Sequence, residues 1–235
     1  MIITGHQPLY YGYLGTLHKL AHADTYIAWD DVQREDSGYE NRTRILGPNG
    51  AQWLTVPIYR SRDTKIKDIL IANEHDWQRK HLRTLEQVYS KAPHWGQYYP
   101  HFHHIYTTRW ELLVDVNTTI LTFLLQAFKL TPVTRHNLSA FGLHTAKTQL
   151  VVDACRAVHG WKYLFGEQGN VYADKALLQS ASIEPYVQEY RPKEYSQGRD
   201  APFVPNLFPY DVLLHHGPEA GREIMLAGGT VVRMV

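Results

Sequence analysis

The opening of the chain restricts it to one class of folds. Met1 to Thr4 reads as a short strand running into Gly5-His6-Gln7-Pro8. Leu14, Leu17, Leu20 and Ala21 then fall at helical spacing, and Thr25 to Trp29 reads as a second strand ending at Asp30-Asp31. Strand, turn, helix and strand in so short a span form a βαβ unit, which requires a parallel sheet with a right-handed crossover. The expected architecture is α/β: a three-layer, parallel-sheet core of Rossmann-like type.

The middle of the chain departs from this alternation. Thr43 to Leu46 and Ala51 to Ile58 read as strands joined by the turn sequence Gly47-Pro48-Asn49-Gly50, a β-hairpin excursion with Ile66 to Ile71 as a candidate third strand. Helical patterns over 75–91, 97–107 and 109–129 form a helical insertion spanning roughly 75–130. Alternation then returns. Thr145 to His159 is an amphipathic helix closed by Gly160, and Lys162 to Phe165 is a strand leading into Gly166-Glu167-Gln168-Gly169. Lys175 to Ser182 is helical and Pro185 to Tyr190 is strand-like, while Pro205, Pro209 and Asp211 mark a loop entering a helix. No linker, repeat or low-complexity tract interrupts the 235 residues, so they read as a single domain.

Composition narrows the partners. The formal charge is +1, which gives no global pull towards nucleic acid or an anionic membrane. Duplex nucleic acid is therefore not an expected partner, whereas a free nucleotide stays open. The longest apolar stretch, Ile120 to Phe128, is broken by Thr122 and Gln126 and is too short to span a bilayer, so no membrane insertion is expected. The first residues show no basic segment followed by an apolar one, so no signal peptide is expected. Cys155 is the single cysteine, excludes an intramolecular disulfide, and sits in an apolar helical pattern as a buried, inert thiol. A cytoplasmic protein is the expectation; the sequence does not set its oligomeric state.

Ligands in open parallel sheets bind beyond the carboxyl ends of the strands. Three polar clusters fall at such ends: His6-Gln7, then Asp30, Asp31 and Gln33, and finally Gly166 to Gly169. Asn41, Arg42 and Arg44 form a further group, in which the period of a strand puts both arginines on one face. Their guanidinium forks suit phosphate or carboxylate. The 16 tyrosines and 6 tryptophans supply rings with polar tips for walls that touch sugars or bases. The stretch from Gln7 to Leu14 resembles a nucleotidyltransferase motif in which two histidines at a helix start hold phosphates. Tyr10 and Tyr13 stand in the histidines' places, so phosphate binding is the expectation and nucleotidyl transfer is not.

His101, His103 and His104 with His94 suggest a metal, but adjacent helical histidines diverge by about 100° per residue and no cysteine or nearby carboxylate completes a tetrahedral set. No metal and no cofactor are expected. A G-x-S-x-G elbow, a Walker loop and a G-x-G-x-x-G loop are all absent.

Taken together, the landmarks point to a family. His6-Gln7-Pro8, Leu14-Gly15, Ala23-Asp24, Asp30-Asp31-Val32-Gln33, Asn41-Arg42 with Arg44-Ile45, and Trp53 to Pro57 come first. Trp77 with Lys80-His81, Tyr89 with Lys91-Ala92-Pro93, Asn117, Tyr163-Leu164 with Gly166, and Asp211 after Pro205-Asn206-Leu207 follow in order. With these the chain resembles the WbqC-like proteins of bacterial surface-polysaccharide gene clusters. Two segments depart from that pattern: Arg34 to Asn41, where a basic or aromatic run is expected, and Phe208-Pro209, where a small polar residue is usual. The first bears on the substrate.

The resemblance implies an enzyme that decorates sugars, often amino sugars. The expected function is a group transferase modifying a nucleotide-linked or phosphorylated sugar in glycan biosynthesis. In that reading Arg42 and Arg44 bind phosphate, and Asn41, Gln7 and Gln33 orient hydroxyls. His6 or His81 is the general base, and Asp30 or Asp31 orients that base or binds the sugar. Tyr10, Asn117, Gly166, Tyr172 and Asp211 complete the expected substrate-binding set. The alternatives are a transferase that modifies nucleosides or DNA bases, where aromatic rings would stack a base, and a non-catalytic sugar- or nucleotide-binding protein. Elemental analysis is expected to find no stoichiometric zinc, and chelation to leave the melting temperature unchanged; one zinc per chain would promote His101, His103 or His104 to ligands.

Overall fold

A computed structural model describes residues 1–34, 38–59, 64–130 and 134–234. The opening unit is β1 (Ile2–His6), α1 (Leu14–Ala21) and β2 (Thr25–Ala28), with the strands parallel and His6 opposite Ala28. An antiparallel hairpin follows, β3 (Arg42–Gly47) and β4 (Gly50–Thr55), in a sheet of its own. It turns where Gly47 faces Gly50, whose φ of 110° suits a residue without a Cβ. Three helices succeed it: α2 (Trp77–Tyr89), α3 (Trp95–Thr107) and α4 (Leu113–Ala127). The chain then alternates through β5 (Thr134–Asn137), α5 (Lys147–Ala157) and β6 (Lys162–Phe165). The short helices α6 (Gly169–Tyr172) and α7 (Lys175–Ser180) lead to β7 (Glu184–Tyr190), α8 (Tyr210–Leu226) and β8 (Gly229–Arg233). Among the described residues no helix is long and apolar enough to cross a membrane.

The main sheet has six strands in the order β5-β2-β1-β6-β7-β8, all parallel except β8 against β7. The chain moves outward from β1 to β2 and β5, then returns past β1 to β6 and continues the other way. A right-handed crossover places its helix on a face set by the direction of travel. Reversal at β1 therefore sends α1 and α4 to one face and α5 and α7 to the other. Burial agrees. Tyr26 and Ala28 of β2 join one core with Leu17 and Leu20 of α1 and Ile120 and Leu124 of α4. Ile3, Ile27, Tyr163 and Phe165 point the opposite way, into a second core with Val151 and Cys155 of α5 and Leu178 of α7. This is the expected three-layer α/β core.

Two features differ from the sequence expectation. Ile66 to Ile71 is not a third hairpin strand: it opens with a single 3-10 turn at Ile66–Asp68 and makes only isolated bridges. Its backbone is taken up by the lead into α4, Ile71 N–H donating to Glu111 and Leu113 N–H to Ile69, both at 2.9 Å. Strands β5 and β8, which no pattern marks, form the two edges of the sheet. Polar Thr134-Arg135-His136-Asn137 is tolerable as a strand because its residues are mostly exposed there.

The first core encloses a hydroxyl network. Tyr10 Oη lies 2.9 Å from His81 Nδ1 and 2.7 Å from Tyr106 Oη, and Tyr11 Oη donates to Tyr106 Oη at 3.2 Å. Burial holds the His81 ring neutral by lowering its pKa from 6.5 to about 4. The unfolded chain takes up that proton below about pH 6.5 while the folded chain refuses it until about pH 4. Stability contributed by this residue is therefore complete above pH 6.5 and falls as the pH drops towards 4. Urea melts across that window should show the decline, and His81→Leu should flatten it by about one proton; an unchanged pH slope in the variant would remove His81 from the account.

Candidate functional site

Reversal of strand order separates the loops that leave adjacent strands, and ligands of open α/β sheets enter the resulting crevice. Here it opens beyond β1 and β6. Thr4 pairs with Leu164, so His6 at the end of β1 lies level with the start of the loop at Gly166, and Asp30 follows β2 at the same edge. The three polar clusters thus share one sheet edge. The crevice encloses about 410 Å³ and is walled by His6, Tyr13, Lys19, Tyr39, Gly166 and Gln188, with Arg191 at its mouth. Arg191 forms a two-pronged pair with Glu167 at 2.7 and 2.9 Å, joining the ends of β7 and β6.

Two titratable groups at this strand end are displaced from their ordinary ranges. His6 Nδ1 sits 3.0 Å from the Gln7 carbonyl. A carbonyl only accepts, so Nδ1 carries the proton and Nε2 keeps its lone pair. Burial first, and then the charge of Lys19, lower the His6 pKa to about 3. Lys19 Nζ donates to the Gly5 carbonyl at 3.0 Å, and burial alone draws its pKa from 10.5 down to about 8. At neutral pH the pair is a neutral imidazole beside an ammonium that releases its proton easily.

The crevice continues along aromatic rings to the hairpin. Tyr13 and Tyr39 lie 6.0 Å apart between centroids, and Tyr39 and Trp53 lie 5.4 Å apart. Trp53 is 45% exposed, and the guanidinium carbons of Arg42 and Arg44 lie 4.5 and 6.0 Å from the centroid of its ring. The two arginines share the face that strand alternation predicts. Arg42 Nε also donates to Gly38 at 3.1 Å.

Of the residues expected at the site, His6, Gly166, Arg42 and Arg44 lie along this path. Gln7 and Asn117 instead line a cavity on the other side of β1, where Gln7 reaches towards the carbonyl of exposed Gln33 at 3.5 Å. Asp30 is spent on structure, accepting from Ser139 N–H at 2.9 Å and Ser139 Oγ at 2.6 Å. Asp31 is paired with Lys65 at 2.8 Å and Lys67 at 2.6 Å, which hold its carboxyl below the usual range. Asn41 is buried and exchanges hydrogen bonds with Val56. Tyr10 and His81 are enclosed in the hydroxyl network of the core. Tyr172 is 58% exposed, and its ring packs edge-on against Phe165 at the end of β6. Asp211 is fully buried at the start of α8, where it accepts from Tyr89 and Tyr195 hydroxyls at 2.8 and 2.9 Å, and burial raises its pKa to about 6. Arg34 and Gly38 to Asn41 of the departing segment are described; Glu35 to Ser37 lie outside the described residues.

Sequence reasoning missed Lys19 and Tyr39, and named Tyr13 only through the likeness to a phosphate-holding motif. A lysine in a helical pattern is ordinarily read as solvated, and nothing local to Lys19 reveals that β7 and α8 cover its helix. The histidines of α3 do not gather: His101 stacks flat on Phe123 at 4.4 Å and bonds Tyr210, while His104 packs on Trp110. Among the described residues no group of three or more metal-binding side chains converges.

The chain is 27% identical over 217 residues to Rv1507c, an uncharacterized protein of Mycobacterium tuberculosis (strain ATCC 25618 / H37Rv), covering 91% of this chain and 93% of that one. No solved structure matches. The model of the WbqC-like protein family matches residues 7–223, which takes in the hairpin, the crevice lining other than His6 and α8 as far as Glu223, and the chain belongs to that family.

Proposed function

We propose that the chain is a group transferase acting on a nucleotide-linked or otherwise phosphorylated sugar in glycan biosynthesis, with the crevice beyond β1 and β6 as its reaction site. The observation that supports this is the unbroken run from Lys19 and His6 through Tyr13 and Tyr39 to Trp53 with its two arginines. Exposed rings stack a base or the apolar face of a sugar. The guanidinium forks beside Trp53 take phosphate oxygens. An amine or hydroxyl of the acceptor attacks the carbon of the transferred group, its proton passes to a base, and the leaving group departs with the bonding electrons.

Lys19 is the base in this scheme. A proton acceptor works best with a pKa near the working pH, and burial brings Lys19 to about 8. His6, at about 3, is too weak for that task; its Nε2 lone pair instead accepts a hydrogen bond from the substrate and orients it. His81 takes no part, because the core encloses it. Transfer to a nucleoside or DNA base is the second reading, favoured by the exposed ring of Trp53 and opposed for duplex by the overall charge of +1.

A panel of nucleotide sugars, free nucleosides and single-stranded oligonucleotides separates these readings by thermal shift and turnover. A ligand bound only by the native state adds ~2.7 kcal/mol of stability at a hundredfold excess over its Kd. Arg44→Ala should remove most of that gain for nucleotide sugars while leaving unliganded stability nearly intact. Lys19→Met should keep the shift and lower turnover ~10²-fold or more, with loss of the rise in kcat/KM as the pH approaches 8. A panel without any shift, or a Lys19→Met protein with wild-type turnover, would sink the proposal.

A further inference from the structure

On the other side of β1 lies a second cavity, of about 190 Å³, between α1, α4 and the carboxyl ends of β2 and β5. Three independent observations mark it as more than a packing gap. Its wall is mainly aliphatic, from Leu17, Leu20, Ile120, Leu121 and Leu124, yet Asn117 stands among them at 1% exposure. The Asn117 amide nitrogen is committed to the carbonyls of Glu40 at 2.8 Å and Pro8 at 3.2 Å, while Oδ1 is buried with no hydrogen-bond donor among the described residues. A buried acceptor left unpaired is costly, so a site with one is a site for a donor. Secondly, the cavity is bounded by Tyr11 and Gly12 at φ 62° and 64°. A tyrosine in the left-handed region is uncommon, and such strain gathers at ligand sites. Thirdly, exposed Arg135, one of whose guanidinium nitrogens donates to Thr122 Oγ1 at 2.8 Å, and His136 line the cavity, and no carboxylate does so among the described residues.

We propose that this cavity is a chamber for a small molecule with a ring-sized apolar body, one N–H or O–H donor at its buried end and an anionic group at the mouth. The size follows from the volume, since cavities of this scale in apolar interiors admit a benzene ring. The donor follows from Asn117 Oδ1, and the anion from Arg135. Thr16 lines both this cavity and the crevice. The chamber therefore deepens the transferase reading, on which its role as the seat of a second substrate rests; its capacity to bind is tested without turnover.

The probe is 4-hydroxyphenylacetate, which carries a hydroxyl and a carboxylate at opposite ends of one ring, against phenylacetate, which lacks the donor. By calorimetry the hydroxy acid should bind about tenfold more tightly, the scale of one hydrogen bond to a buried acceptor. Thr118→Trp, an exposed position at the rim, should fold normally, as its melting temperature will report, and should abolish binding by blocking the mouth. Equal affinity for the two acids, undiminished binding in Thr118→Trp, or no binding of either acid at millimolar concentration overturns the proposal. Nucleotide-sugar stabilisation is scored separately with Arg44→Ala, so the crevice and the chamber stand or fall on different data.

Discussion

The handedness of parallel crossovers governs this molecule. Because β1 is the first strand and lies inside the sheet, the chain leaves it one way, through α1 to β2, and later crosses back past it through α5 to β6. Each crossover is right-handed, so the two helices end on opposite faces. The loops that leave β1 and β6 must then part, although the strands themselves are hydrogen-bonded neighbours. The crevice is the space between them. No side chain has to be chosen to create it, and side chains decide only what it holds.

Buried polar contacts then hold the long excursions against that frame. The loop after β1 is tied to α2 and α3 by the hydroxyls of Tyr10, Tyr11 and Tyr106. From α4, Asn117 clamps two backbone carbonyls, Pro8 in that loop and Glu40 before the hairpin. Tyr89 of α2 accepts from the Leu46 N–H of the hairpin at 3.1 Å and donates its own hydroxyl hydrogen bond to Asp211 of α8. Asp211 is costly where it is, as its raised pKa records, and three donors offset the loss of water. Several of the residues that first suggested a ligand site are therefore rivets. They keep the hairpin with Arg42, Arg44 and Trp53 in line with the crevice, and in such networks satisfied partners specify one arrangement of the chain.

What was legible in the sequence follows from how local its cause is. The first βαβ unit and the hairpin were readable because period and turn residues set them within a few positions, and the shared face of Arg42 and Arg44 follows from strand alternation alone. The polar clusters at strand ends were readable as an edge. Their fates were not, since the partners come from far along the chain: Ser139 for Asp30, Lys65 and Lys67 for Asp31. Edge strands β5 and β8 escaped because an edge needs no apolar alternation. His81 looked like a base and is a core residue, a distinction made by the rings of Trp77 and Tyr106 around it.

Lys19 shows the same dependence at the site itself. No neighbouring charge lowers its pKa; burial does so unaided. That burial is imposed by the far end of the chain. Gln188 of β7 donates to the Gly15 carbonyl at 2.8 Å, Tyr190 packs on His18 at 5.1 Å, and α8 lies against α1. A strand-turn-helix piece cut from the N-terminus would carry Lys19 as an ordinary solvated ammonium. Only when the C-terminal third closes over α1 does the ammonium become a group that gives up its proton near neutral pH. The ionisation of Lys19, within the first twenty residues, is thus set by the last fifty or so.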